Sequence, residues 1–277
     1  MAADELLRIA SDIAIRAATL AATRRGEGVE VAASKSSPED VVTHADRETE
    51  SLIRSLLAEQ RPDDGFFGEE SDAGTGTSGL TWIVDPIDGT VNYLYGVPHY
   101  AVSIAVVEGD PDPSTWRALA GAVVNPAIGE VFTARVGGGA YLGDRRLQVE
   151  EAELPLALVA TGFSYLSETR RQQAEVLVQL VSKIRDIRRA GTASLDLCSV
   201  ACGRVNAYFE RGLSPWDHAA GALVAQESGA IVTGLRGRPA GREFVLAAPP
   251  RLAQTLGKVL ERLHPLDGGL AGSGLFR

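Results

Sequence analysis

Between residues 100 and 147 the chain is a succession of Val, Ile, Ala and Phe runs, each cut by a turn signal: Gly109-Asp110-Pro111, Asn125-Pro126, Gly137-Gly138-Gly139 and Gly143-Asp144. Short apolar runs with such punctuation favour pairing with their neighbours, which predicts an antiparallel meander. Beyond it the pattern becomes an alternation. Helical spacing over 167–184, 194–202, 216–228 and 250–263 is interleaved with strand-like runs over 187–189, 205–210, 230–233 and 243–247. A meander followed by alternation fits an α/β fold of layered helices and sheets.

The part before the meander supplies the first of those helices. Leu6, Ile9, Ile13, Ala17 and Leu20 form one apolar stripe, while Asp4, Glu5, Arg8, Asp12 and Arg16 interrupt every run long enough for a signal core or a membrane span. A polar stretch over 24–40, with Lys35-Ser36-Ser37-Pro38, reads as a mobile loop or hairpin. A second helix over 43–57 opens at Thr43, with Asp46 three residues on in the manner of a capping box. Short buried strands follow at 65–68 and 80–84, separated by a Gly, Ser and Thr-rich loop over 71–79. The organisation expected is an N-terminal α+β part, 1–150, carrying most of the candidate ligands. A C-terminal α/β part, 151–263, completes the site, and 264–277 is a flexible tail.

Charge narrows the partners. With 27 Lys and Arg against 36 Asp and Glu, the net charge is −9, and no basic tract tracks a phosphate backbone. Nucleic acid is a poor partner for such a surface and a cation a better one. No membrane is implied, and a cytoplasmic location is expected. Cys198 and Cys202 lie four apart in an apolar stretch and read as small buried residues rather than a metal or redox pair. His44, His99, His218 and His264 are scattered, so a surface or capping role is expected for each. Gly74-Thr75-Gly76-Thr77-Ser78-Gly79 has the spacing of a dinucleotide fingerprint. That motif needs a strand before it and a helix after it, whereas here an acidic turn precedes and a strand follows.

Acids collect instead at strand ends. Gly68-Glu69-Glu70-Ser71 closes one run, and Trp82-Ile83-Val84-Asp85-Pro86-Ile87-Asp88-Gly89-Thr90 closes another. Two carboxylates three apart, bent by Pro86 and Gly89, can point the same way, with the Ile87 carbonyl between them as a neutral oxygen. Such all-oxygen donors suit Mg²⁺. The plain alternative is a Pro and Gly turn with solvated acids. Gly89 and Thr90 open a short segment whose backbone amides suit a phosphate. Farther on, Ser214-Pro215-Trp216-Asp217 starts an apolar helix in an arrangement that capping alone explains. Capping likewise accounts for Asp46, and Glu210 by itself simply ends a strand.

The order of these motifs carries a resemblance. Lys35-Ser36-Ser37-Pro38 with Asp46, Gly-Glu-Glu-Ser, Trp-Ile-Val-Asp-Pro-Ile-Asp-Gly-Thr-Val-Asn-Tyr, Gly191-Thr192-Ala193, Glu210 and Trp216-Asp217 together resemble the inositol monophosphatase family, nearest its bacterial inositol-1-monophosphatases. The resemblance covers residues 4 to 263, and the stretches 82–93 and 214–229 are its long, specific signatures. It implies that Glu69, Asp85 and the Ile87 carbonyl hold one Mg²⁺ and that Asp85, Asp88 and Asp217 hold a second. A third, weaker ion near Glu69 is also implied. Glu69 and the Thr90 hydroxyl would orient an attacking water, with Asp46 supporting Thr90. The Gly89 and Thr90 amides would meet the phosphate. Asp88, Gly191, Thr192, Ala193, Glu210 and Asp217 would read a small polyol phosphate, foremost myo-inositol 1-phosphate. The family further implies lithium sensitivity and a homodimer. Val91, Tyr93 and Ser194 depart from its commonest pattern, and 161–169 lies where its substrate contacts vary. Sister phosphatases acting on 3′-phosphoadenosine phosphate, fructose 1,6-bisphosphate or histidinol phosphate are the alternatives, with Asn92 favouring the inositol branch over the first and last. An inactive regulatory relative is another.

Overall fold

The computed structural model of the chain describes residues 2–34 and 41–264. Lys35-Ser36-Ser37-Pro38 and the tail after His264 lie outside the described residues. Helix α1 (Ala2–Glu27) leads into strands β1 (Val31–Ser34) and β2 (Val41–Thr43), which pair antiparallel, so the polar stretch is flanked by a hairpin. Then come α2 (His44–Gln60), β3 (Gly65–Gly68), β4 (Leu80–Asp88), α3 (Thr90–Tyr95), β5 (Ala101–Glu108), β6 (Arg117–Asn125), β7 (Glu130–Arg135), β8 (Gly139–Leu142) and β9 (Arg145–Arg146). The second half runs β10 (Leu158–Thr161), α4 (Ser167–Leu180), β11 (Asp186–Arg188), α5 (Ala193–Ala201), β12 (Ala207–Glu210), α6 (Pro215–Glu227), β13 (Ile231–Thr233), β14 (Val245–Ala248) and α7 (Pro250–Leu263).

Among the described residues the strands form two large sheets. One has seven strands in the order β3-β4-β5-β6-β7-β8-β9, antiparallel except for β3 beside β4. The predicted meander is therefore present. The other has five, in the order β11-β10-β12-β14-β13, with β10 parallel to both of its neighbours. Strand alternation decides what covers each face. Trp82, Val84, Ile104 and Ala122 of the larger sheet pack on Ile9, Ile13 and Ala17 of α1 and Ile53 of α2. Ile83, Ala105 and Val123 face the other way, onto Leu195 and Cys198 of α5 and Ala220 and Leu223 of α6. The far side of α5 and α6 meets Ala160, Tyr208, Val245 and Ala247 of the smaller sheet. Val159, Phe209 and Leu246 on its outer face are covered by Leu180 of α4 and Leu256 and Leu260 of α7. The layers thus run helix, sheet, helix, sheet, helix.

The middle helices are held by a close approach. A Cβ on Gly221 of α6 would fall 2.8 Å from the Ser194 carbonyl and 2.9 Å from the Leu197 Cβ, so only glycine lets α5 and α6 touch there. Several expectations need correction. β4 runs on through Asp88 rather than ending at Val84. The register shifts between Asp85 and Asp88, because Pro86 has no N–H to give the ladder and the strand bulges around it. β10, at the heart of the smaller sheet, is short and was not expected. The stripe of α1 turns from Leu20, which is half-buried, to Ala18 and Ala21, whose small side chains fit against the sheet. His218 is buried, not a surface or capping residue, and His99 is half-buried. Cys198 is fully buried in α5, and Cys202, at the end of that helix, is partly exposed and packs against the same core.

Candidate active site

The bulge in β4 sets the geometry. Asp85 and Asp88 are both buried, and Oδ1 of Asp85 accepts the Ile87 amide at 3.1 Å. Asp88 Oδ2 accepts the Ser194 amide at 2.7 Å and the Ser194 hydroxyl at 2.5 Å, placing a carboxylate on the amino-terminal end of α5. Ser194, a departure from the commonest family pattern, is thereby the residue that anchors Asp88. The chain then turns through Gly89, whose φ of 91° suits glycine, into α3. A Cβ there would fall 2.3 Å from the Thr192 Oγ1, so the Gly191-Thr192-Ala193 turn lies directly on the start of α3. Asn92 secures that contact by donating to the carbonyls of His99 at 2.7 Å and Ala190 at 2.9 Å.

Thr90, the first residue of α3, places its hydroxyl 3.2 Å from Asp46 Oδ1 and 3.1 Å from the Ile87 carbonyl oxygen. Asp46 is wholly buried at the third position of α2. Its Oδ2 accepts the Thr43 amide at 2.9 Å and the Thr43 hydroxyl, completing the expected capping box. Glu69 follows β3, whose end is fastened from α2: Glu50 accepts the Glu70 amide at 2.8 Å and the Ser71 hydroxyl. Glu210 ends β12 and accepts the Tyr208 hydroxyl at 2.6 Å. It lies over Gly162, where a Cβ would overlap its carboxylate, so the variable 161–169 segment begins against it. Asp217 stands in the first turn of α6 with Oδ2 accepting the Ser214 amide at 2.6 Å.

These acids feel one another. Burial, opposed by Thr43 and reinforced by Glu69 and Glu70, pushes Asp46 up to about 7. Burial likewise raises Asp88 to about 7 against the Ser194 bonds, with Glu69 and Glu210 adding to it. Glu210 rises to about 7 through burial, moderated by Tyr208 and Arg189. Asp217 goes well above the carboxylate range through burial, then Glu69 and Asp88. Asp196 of α5 behaves in the same way beside Glu210 and Asp88. The structure thus brings Asp46, Glu69, Asp88, Glu210 and Asp217 into one field, with Asp85, Ile87, Gly89, Thr90 and Gly191 to Ala193 at its edges. Asp46, Asp88 and Asp217 have no ion-pair partner among the described residues. Buried Asp46 and Asp88 with half-buried Glu69, Glu210 and Asp217 make a set of like charges and oxygen-only donors that fits a hard cation. Among the described residues, however, no three His, Cys, Asp or Glu side chains close into a ready-made cage.

Sequence reasoning missed Glu50, Asp196 and the anchoring role of Ser194. Glu50 was detectable as an acid on the apolar side of α2, three residues before Ile53. Asp196 was detectable as the one charge in the apolar run of α5.

Stacked helix and sheet layers with acids gathered at the strand ends, beside the turn that opens α3, define a layered α/β protein with an oxygen-rich site. The family model for the inositol monophosphatase family matches residues 2–266, and the chain belongs to that family. It is 43% identical over 263 residues to the inositol-1-monophosphatase SuhB of Mycobacterium tuberculosis, covering 91% of this chain and 89% of the relative. The Nus factor SuhB of Pasteurella multocida is 37% identical, covering 92% and 95%. The crystal structure of the extragenic suppressor protein suhB from Bartonella henselae superposes with a TM-score of 0.84 at 34% identity, covering 93% of this chain and 99% of that one. Among the described residues no helix is long and apolar enough to cross a membrane.

Proposed function

We propose that the chain is a Mg²⁺-dependent phosphomonoesterase that hydrolyses a compact polyol monophosphate, foremost myo-inositol 1-phosphate, to the polyol and phosphate. The observation that carries this reading is the set of buried and half-buried carboxylates that act on one another, Asp46, Asp88 and Glu210 each raised to about 7, with Asp46 standing 3.2 Å from the Thr90 hydroxyl at the start of α3. Glu69, Asp85 and the Ile87 carbonyl would hold one ion, and Asp85, Asp88 and Asp217 a second, with a third near Glu69. Bound there, Mg²⁺ offsets the phosphate charge and makes water more acidic.

The remaining work falls to the chain itself. The amides of Gly89 and Thr90 receive phosphate oxygens at the start of α3. Thr90 donates its hydroxyl proton towards Asp46, which leaves the Thr90 oxygen to accept from an attacking water. Glu69 fixes that water from the other side. Asp46 positions Thr90 and does not itself touch the substrate. On the polyol side, Glu210, Asp88, Asp217 and the backbone of Gly191 to Ala193 accept hydroxyl protons. A polyol lacking the matching hydroxyl leaves a buried acceptor unpaired and is disfavoured. The enzyme acts in the cytoplasm as a homodimer and is inhibited by lithium.

A phosphate-release panel tests the reading. Inositol 1-phosphate, 3′-phosphoadenosine phosphate, fructose 1,6-bisphosphate and histidinol phosphate are compared with and without Mg²⁺, and inositol 1-phosphate is expected to give the highest kcat/KM. A higher value for another substrate reassigns the polyol. No release from any of them favours a regulatory reading, for which the name of the Pasteurella relative is the supporting observation.

A further inference from the structure

Ser194 links two acids that are far apart in the chain, Asp88 at the end of β4 and Asp217 in the first turn of α6. It is wholly buried near the start of α5. Its amide and hydroxyl both donate to Asp88 Oδ2, at 2.7 and 2.5 Å, and each carboxylate oxygen has two lone pairs to offer. Oδ2 is thereby filled. Oδ1 takes no hydrogen bond among the described residues, and Asp88 is 8% exposed where Ser194 is covered, so Oδ1 is the oxygen that Asp88 presents. The backbone of Ser194 meets the other acid's helix. A Cβ on Gly221 would fall 2.8 Å from the Ser194 carbonyl oxygen, and Gly221 stands one turn after Asp217 along the same face of α6.

One residue thus fastens both acids: its side chain holds the end of β4, and its carbonyl seats α6. Starting a helix explains neither contact. A first-turn serine serves its own helix by bonding nearby backbone, whereas this hydroxyl leaves α5 for a strand residue 106 positions earlier. The number of carboxylate oxygens on offer then matters. Mg²⁺ keeps a tight octahedral shell, whereas the larger Ca²⁺ has room to take both oxygens of one carboxylate. We propose that Ser194 is a positioning residue for the ion assigned above to Asp85, Asp88 and Asp217, and that by withholding Asp88 Oδ2 it favours Mg²⁺ over Ca²⁺ there. The inference rests on the metal-dependent reading of the site. Ser194 itself touches neither ion nor substrate and acts through Asp88 and the seat of α6.

Calorimetric titration of Mg²⁺ and of Ca²⁺ into the chelator-stripped full chain, well below its Tm, reads this directly. In Ser194→Ala the hydroxyl is lost, so Asp88 is held by the amide alone and Oδ2 regains a lone pair. Mg²⁺ affinity at one site should fall by about tenfold. Ca²⁺ affinity should hold or rise, so the preference for Mg²⁺ narrows by about tenfold or more. Ser194→Cys, nearly the same in shape but a weak donor, should behave alike and decides the matter where the alanine variant does not fold. Ser194→Thr, which restores the hydroxyl, should keep the parental preference. In an Asp217→Asn background Ser194→Ala should change little further, because both act on one ion. A residue that only packs α5 would lower the Tm of the stripped protein and leave both affinities of the folded protein as they were. That result overturns the proposal, as does an equal loss for the two ions or an undiminished effect in the Asp217→Asn background. A parent chain that binds no Mg²⁺ overturns the metal-dependent reading and the proposal with it, whereas the other adverse outcomes leave that reading standing.

Discussion

Helices α2 and α6 begin alike and end up in different chemistry. Each opens with a hydroxyl residue at the cap and an aspartate at the third helical position that accepts the cap amide, Thr43 with Asp46 and Ser214 with Asp217. Asp46 is saturated: Thr43 occupies Oδ2, and Thr90 approaches Oδ1 at 3.2 Å. Asp217 is not. Its Oδ2 takes the Ser214 amide, its other oxygen takes no hydrogen bond among the described residues, and Glu69, Asp88 and Glu210 act on it through space. The same local signal thus yields a positioning group in one place and a ligand-like group in the other. The difference is the number of donors the tertiary fold brings.

The strongest way to break this contrast is to remove divalent cations. If acids such as Asp217 serve a cation, excess chelator should abolish phosphate release. Restoring Mg²⁺ at 100 times its Kd should stabilise the fold by about 2.7 kcal/mol, read as a rise in Tm. Activity that survives chelation would make Asp217 a cap like any other.

Exchanging each aspartate for asparagine sharpens the contrast. Asp217→Asn keeps a short polar cap and removes one of several repelling charges, so the metal-free fold should hold or gain stability while kcat falls by about 10³-fold. Asp46→Asn turns an amide group towards donors that need an acceptor, so it should lose about 1–3 kcal/mol of stability, with a smaller loss of turnover. Denaturant melts and steady-state kinetics of both variants separate the two roles. An active but unstable Asp217→Asn variant would reverse the assignment.

Why the sequence told some of this and not the rest follows from range. The capping boxes, the meander and the acids after β3 and β4 are local patterns, and period and turn chemistry suffice for them. β10 escaped because four residues after Leu154-Pro155 carry too few alternations to show a period, and parallel partners far along the chain make it a strand. The bulge at Pro86 was legible as a bend but not as a continuing strand, since pairing of Asp88 with Ala101 is a tertiary fact. Glu50, Ser194 and Asp196 act across the layers, and nothing near them in sequence names their partners. His218 was misjudged because polarity argues for the surface, whereas the small residues around it in α6 draw that helix between two sheets.

A subtler difference between the states of these acids is their pH dependence. In the metal-free protein Asp46 and Asp88 rise from 3.8 to about 7 and Glu210 from 4.5 to about 7, with burial the leading cause in each. The native state then holds protons that the unfolded chain has released. The stabilisation is complete below the ordinary carboxylate values and is lost as pH climbs through about 7. The Tm of the chelated protein should accordingly fall by several degrees, about 5 °C or more, between pH 5 and pH 8. Saturating Mg²⁺ should flatten that slope, because a cation takes the carboxylates in their deprotonated form. A chelated protein whose Tm is level or rising over the same interval would mean that these groups do not share one buried field.

The smallest expected effect isolates what Asp46 does besides capping. Thr43→Val keeps the shape of the cap residue and removes its hydroxyl, which donates to Asp46 Oδ2 and accepts the Asp46 amide at 3.4 Å. The Thr43 amide still holds the same oxygen at 2.9 Å, so the helix start survives and the loss should be about 1 kcal/mol. Were capping the whole role of Asp46, turnover would follow stability and stay at the parental level under conditions where both proteins are folded. If Asp46 also aims Thr90, releasing one side of its carboxylate loosens the 3.2 Å contact on the other. kcat should then drop by about threefold to tenfold with KM unchanged, since water placement is lost and polyol contacts are not. Thr43→Ser, which restores the hydroxyl without the methyl, should recover kcat. A Thr43→Val variant with full kcat would confine Asp46 to the helix it begins, and the two aspartates would differ in their neighbours alone.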